Sequence, residues 1–136
     1  MIYLDSAAIV KLVREEPESE ALGVWLAERI KTPRVSSVLA DVEVSRAIAR
    51  HAPDSRSYIA PIMDTIARFD IDHPVRSMAI AIADPLLRSL DAIHLASAQI
   101  LRAEFGEAPI FVSYDKRLLI AARTAGLPVA SPGATA

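Results

Sequence analysis

Ile2-Tyr3-Leu4-Asp5-Ser6-Ala7-Ala8 is the stretch that decides the fold of this chain. Ile2, Tyr3 and Leu4 are contiguous and apolar, so they read as a short buried strand. The chain then passes straight into a helix from Ser6 to about Arg14, which Pro17 stops or offsets. The same arrangement returns near the other end. Ile110-Phe111-Val112 is a β-branched and aromatic run, hence a buried strand. Asp115 follows, then a helix over Lys116–Thr124 with Gly126 at its C-terminal cap. Strands alternating with helices indicate an α/β fold, a parallel sheet with helices on both faces. Ligands in such folds bind beyond the carboxyl ends of the strands, where Asp5 and Asp115 both fall.

Between these landmarks the pattern supplies the remaining elements. A helix is expected over Glu18–Ile30, because Leu22, Trp25, Leu26 and Ile30 recur as an amphipathic stripe. Trp25 reads as a core or interface anchor. Arg34–Ser36 is a short strand, and Ser36 or Ser37 caps a long helix running to about His51. Pro53 breaks that helix, and Asp54 or Ser55 caps another ending near Ala67. Arg68–Ile71 is a further strand, and Val75–Ala83 is a helix stopped by Asp84-Pro85. Leu90–Glu104 is apolar on several sides and should be a buried helix, ended by Gly106 and Pro109. Pro128–Ala130 is a last short strand. Residues 1–130 are expected to form one domain, and Ser131–Ala136 a disordered tail.

Composition excludes more than it assigns. With 136 residues, 52% of them apolar, the chain can bury a substantial core and is not a disordered type. No apolar run approaches the roughly 20 residues of a membrane helix. The N-terminus does not read as a signal peptide, since Asp5 interrupts it and Lys11, Arg14, Glu15 and Glu16 follow, so a cytoplasmic protein is expected. The absence of cysteine removes disulfides, thiol catalysis and Cys-based metal sites. A metal would have to bind through oxygen or through one of three histidines. A net charge of −2 argues against broad electrostatic capture of nucleic acid, though not against a local basic patch.

The chemistry-bearing residues are acids. Asp5 and Asp115 follow strands, Asp91 begins the buried helix, and Glu43 lies inside a helix where capping cannot explain it. Each has a plain structural reading. Asp5, Asp91 and Asp115 suit helix N-termini, where a cap stabilises by about 1 kcal/mol. Glu43 can pair with Arg46 and Arg50 on its own helix face for at most about 0.5 kcal/mol. His94, on the face of Asp91, is more often a hydrogen-bonded histidine than a ligand. Taken together, crowded carboxylates repel one another unless a cation sits among them. Hard oxygen donors suit Mg²⁺ or Mn²⁺, which can activate water against a phosphodiester. No phosphate-binding glycine loop, dinucleotide fingerprint, nucleophile elbow or H-E-x-x-H motif is present.

With the acids placed, the chain resembles the PIN-domain ribonucleases of the VapC toxin type. The resembling segments are Ile2–Ala8, Ser36–Arg50 around Glu43, Leu90-Asp91-Ala92-Ile93-His94-Leu95-Ala96, and Val112-Ser113-Tyr114-Asp115-Lys116-Arg117-Leu118. Asp84-Pro85-Leu86 departs from the glycine-containing turn common before the third segment. The resemblance implies a three-layer α/β/α fold with a parallel sheet of about five strands. It also implies an Mg²⁺- or Mn²⁺-dependent endoribonuclease, the toxin of a toxin–antitoxin system, neutralised by a cognate antitoxin and often dimeric. Asp5, Glu43, Asp91 and Asp115 match the family's acidic quartet as catalytic and metal-holding residues. Ser6 and Ser113 match its supporting hydroxyl positions. Arg46, Arg50, Lys116 and Arg117 are candidate RNA phosphate contacts. The rival reading is a binding module whose acidic pocket grips a basic antitoxin tail without significant catalysis. A receiver domain or phosphatase is disfavoured, because no adjacent acidic pair or D-x-D nucleophile follows the first strand.

Overall fold

The computed structural model describes residues 1–135. Five strands form one parallel sheet: β1 (Ile2–Leu4), β2 (Arg34–Ser37), β3 (Ala67–Phe69), β4 (Ile110–Val112) and β5 (Val129–Ala130). Their spatial order is β3-β2-β1-β4-β5. The chain builds outward from β1 through β2 to β3, then crosses back to place β4 on the other side of β1. The reversal of direction therefore lies between β1 and β4, the position at which open α/β sheets open a crevice. Tyr3 pairs with Phe111 and Leu4 with Val112, which sets Asp5 beside Ser113 just past the strand ends.

Strand alternation divides the core into two. Ile2, Leu4 and Val112 face a cluster with Ala8, Ile9, Leu22, Leu26, Val44 and Ile48. These come from α1 (Ser6–Val13), α2 (Ser19–Ala27) and α3 (Leu39–His51), with α4 (Ile59–Met63) adding Met63. Tyr3, Val35 and Phe111 face the opposite cluster, against which Ala79 of α5 (His73–Ile80) also packs. Leu95, Ala98 and Leu101 come from α6 (Ser89–Phe105), and Leu118 and Ala122 from α7 (Lys116–Thr124). Helices thus cover both faces, giving the three-layer α/β/α arrangement. Among the described residues no helix is long and apolar enough to cross a membrane.

Several expected boundaries shift. The second helix ends at Ala27, so Ile30 leaves the stripe and is 72% exposed. Successive turns bonded from Arg29 to Leu26 and from Thr32 to Arg29 replace the last helical turns. The helix expected to end near Ala67 is instead a 3-10 turn, Pro53–Tyr58, followed by the short α4. Pro61 has no N–H to donate back, which explains why a long regular helix does not form there. Ala67 belongs to β3, which ends at Phe69 rather than reaching Ile71. Ser37 accepts from the Leu39 amide, but it does so from the end of β2 rather than as a formal helix cap. Gly106 closes α6 with φ of 72°, a left-handed position that glycine adopts without strain. In the expected tail, Ser131 donates to the Ser113 carbonyl and Tyr114 donates to the Pro132 carbonyl; Ala136 lies outside the described residues.

Candidate active site

Asp5 leaves β1 with an extended backbone and caps α1, its Oδ1 accepting from the Ala8 amide at 2.9 Å. Asp115 does the same after β4 for α7, accepting from the Leu118 amide at 2.9 Å. The capping reading is therefore correct for both acids, and each cap commits one oxygen. Asp91 stands in the first turn of α6, where no side-chain cap is made. Glu43 stands mid-way along α3, on the other side of the sheet.

The four acids differ in burial. Asp5 is 4% exposed, Asp91 and Glu43 are partly buried, and Asp115 is exposed. Burial pushes the Asp5 carboxyl above its ordinary range, against the opposing influence of His94, Ser113 and the Ala8 amide, with Asp91 adding to the rise. Asp91 is also raised, first by burial and next by the charge of Asp115, with Glu43 contributing; Arg88 opposes this, its Nε 3.8 Å from Asp91 Oδ2. The carboxylates thus share one electrostatic neighbourhood, in which negative charge is unfavourable. Glu43 is the exception. Burial alone would raise it, but hydrogen bonds from His94 and Ser6 outweigh burial and hold it below the usual carboxylate range.

Those hydrogen bonds form a compact polar group at the sheet edge. Ser6 Oγ donates to Glu43 Oε1 at 2.6 Å, and His94 Nε2 lies 2.8 Å from the same oxygen. His94 Nε2 is also 3.0 Å from Ser6 Oγ. Its other nitrogen, Nδ1, lies 2.8 Å from the Tyr3 hydroxyl. The imidazole is 2% exposed and both nitrogens are engaged, so it presents no free lone pair to a metal. His94 takes the hydrogen-bonded role that its residue type favoured.

The acids share this neighbourhood without forming a closed cage. Among the described residues, no three Asp, Glu or His side chains stand in an arrangement that could hold a metal ion by themselves. The basic candidates also divide. Arg46 and Arg50 line an open groove together with Glu43, Val42 and Leu90. Lys116 lines a different groove, with Tyr114 and Arg123. Arg117 is loosely paired with Asp84 at 3.9 Å. Sequence reading overlooked Arg88, beside Asp91, and Tyr3, behind His94. The signal for Tyr3 was its parity in the strand, opposite to that of Ile2 and Leu4 and shared with Asp5.

Comparison with known proteins agrees with this architecture. Residues 2–124 match the family model described as PIN domain. The chain is 44% identical over 133 residues to Ribonuclease VapC35 of Mycobacterium tuberculosis, covering 98% of both. Ribonuclease VapC46 of the same organism is 42% identical over 131 residues, covering 96% of this chain and 97% of the relative. A solved structure, a toxin–antitoxin complex from Klebsiella pneumoniae, contains a chain that aligns with a TM-score of 0.68. That alignment covers 97% of this chain and 98% of the other at 18% identity, a likeness of fold. The chain belongs to the PIN-domain family and, within it, to the VapC type.

Proposed function

We propose that this chain is a metal-dependent endoribonuclease, the toxin of a toxin–antitoxin pair, acting in the cytoplasm and held in check by a cognate antitoxin. The observation that carries the reading is the mutual strain of the acids at the β1–β4 crevice. Asp5 is raised by burial and by Asp91, and Asp91 by burial, Asp115 and Glu43, an arrangement that a bound cation would relieve. The names of the relatives support the ribonuclease, and the toxin–antitoxin complex that holds the similar fold supports the antitoxin partner. A second copy of the chain is proposed as a further partner, after the dimers common in the resembling family.

The donor set fits a hard divalent cation, because it consists of carboxylate oxygens without sulfur or free imidazole. Mg²⁺ commonly takes one or two carboxylates and keeps several waters, which suits acids that stand apart. Asp5 and Asp91 are the proposed holders, Glu43 presents its second oxygen, and Asp115 completes the set from the exposed rim. When bound, Mg²⁺ or Mn²⁺ supplies positive charge against the scissile phosphate and makes water easier to deprotonate. Ser6 and Ser113 orient the carboxylates beside them. Arg46 and Arg50 line the groove that leads to Glu43, where they can hold RNA phosphates. Lys116 and Arg117 would serve a separate stretch of backbone.

Purified chain incubated with RNA and Mn²⁺ should cleave internally, with ends mapped by sequencing. Asp5→Asn should abolish cleavage while leaving the fold intact. Cleavage that persists in excess EDTA would sink the metal dependence. A folded wild-type chain that binds a basic antitoxin tail yet cleaves no RNA would favour the binding-module reading.

A further inference from the structure

His94 is the buried polar link between the two helical layers across the sheet edge. It rises from α6, yet its Nε2 reaches Glu43 of α3 and Ser6 of α1, both on the opposite side. Behind it, Tyr3 is wholly buried and clamped. Its ring stacks on Phe111 of the neighbouring strand, with centroids 5.3 Å apart and planes 6° off parallel. The His94 ring meets Tyr3 nearly at right angles, at 5.8 Å. A phenol held this firmly inside the core has one principal task left, to direct its hydroxyl.

The proton positions follow from the partners. A carboxylate oxygen only accepts, so Nε2 at 2.8 Å from Glu43 Oε1 must carry a hydrogen. Ser6 already donates to that oxygen. On the other side of the ring, the Tyr3 hydroxyl lies 2.8 Å from His94 Nδ1 and fixes that edge. Both hydrogen bonds to Glu43 fall on Oε1; among the described residues, Oε2 receives none.

We propose that Tyr3 and His94 are positioning residues for the acidic pocket. The Tyr3 hydroxyl, 2.8 Å from Nδ1, holds the ring from behind so that its Nε2–H faces Glu43. With Ser6, that imidazole pins one oxygen of Glu43 and turns the other towards the crevice. The inference rests on the reading of Glu43 as a member of a cation-holding pocket. Partners of this kind, acting through a ligand rather than on the metal, typically set affinity by about 10- to 100-fold.

The full chain, free of metal at neutral pH, is examined first by long-range ¹H–¹⁵N NMR of its histidines. His51 and His73 are exposed, and the resonance missing in His94→Gln identifies the buried ring. The expected spectrum shows a hydrogen on Nε2, partly lost in Tyr3→Phe. A wild-type Nδ1–H tautomer, whose Nε2 carries no hydrogen for Glu43, overturns the proposal, whether or not any variant folds. Mn²⁺ binding is then measured by water-proton relaxation. His94→Leu should weaken it about 10- to 100-fold. His94→Gln, whose amide can still donate to Oε1, should recover most of that loss. Wild-type affinity in folded His94→Leu, or no recovery in His94→Gln, overturns the positioning role. Wild-type affinity in Glu43→Gln would instead remove the pocket reading itself, and this inference with it.

Discussion

Replacing Asp5 with asparagine should make the metal-free protein more stable while abolishing its activity. Asp5 is 4% exposed, and burial pushes its carboxyl above the ordinary range even after His94, Ser113 and the Ala8 amide have opposed the rise. An acid raised in this way binds protons more readily in the folded chain than in the unfolded one. Stability is therefore greatest below the unfolded pKa and declines as pH rises through the folded pKa. Each pH unit that separates those two values costs about 1.4 kcal/mol. Asparagine keeps Oδ1 as the acceptor for Ala8, so the cap of about 1 kcal/mol survives. It removes the buried charge and its repulsion from Asp91. A gain of about 1–3 kcal/mol at neutral pH follows, on the scale of an incompletely compensated buried group. For a chain of this length that is a rise of several degrees in Tm. Urea and thermal unfolding in EDTA, followed by circular dichroism across a pH series, would measure it. The gap should narrow towards acid pH, where wild-type Asp5 is protonated. Adding Mn²⁺ should stabilise the wild type, by about 2.7 kcal/mol at a hundredfold excess over Kd, and leave Asp5→Asn nearly unmoved. A variant that is less stable than wild type in EDTA at neutral pH would refute the reasoning.

Glu43 behaves oppositely, since His94 and Ser6 hold it below the usual carboxylate range. Its contribution is present above the unfolded pKa and is lost as pH falls through the folded value. Glu43→Gln should consequently destabilise by about 1 kcal/mol at neutral pH and flatten the acid limb of the stability curve. Ile48 is fully buried in the cluster beneath α3, and Ile48→Ala should cost about 2–5 kcal/mol by denaturant titration, with cleavage per folded molecule unchanged. Arg46→Ala and Arg50→Ala should each lower the slope of log RNA affinity against log salt by about 0.7, the single-strand value per phosphate contact. An unchanged slope in both would remove α3 from the RNA path. Gly126→Ala should destabilise by about 1 kcal/mol, because φ is 86° and the new methyl would lie 3.1 Å from Arg102 Nη1.

Legibility along the chain followed how local the determining interactions are. Ile2–Leu4 and Ile110–Val112 were readable because contiguous apolar residues bounded by helix starts are a local pattern, and the strands occupy those residues. The ends of α6 were legible to within about a residue, since Gly106 closes it by its own backbone preference. Ile30 was misread because the amphipathic stripe continues after the backbone has turned out of the helix. The segment after Pro53 was misread because a cap signal at Asp54 and Ser55 says nothing of Pro61 two turns later. In the candidate site, Asp5 and Asp115 were visible as strand-end acids. Tyr3 was not, being one apolar residue among three until the sheet assigns each to a face.

By itself the sequence determined the order of elements, the α/β class, and the placing of acids at the ends of strands and in helices. Each depends on periodicity, capping or backbone preference within a few residues. Tertiary structure alone decided that β4 lies beside β1, which brings Asp5 and Asp115 to the same end of the sheet on neighbouring strands. It also decided the partners of His94, which are Tyr3, 91 positions away, and Glu43, 51 positions away. No local propensity encodes such pairings. They arise when two helical layers, each burying its own apolar face, close over the same sheet edge and must satisfy the polar groups trapped between them.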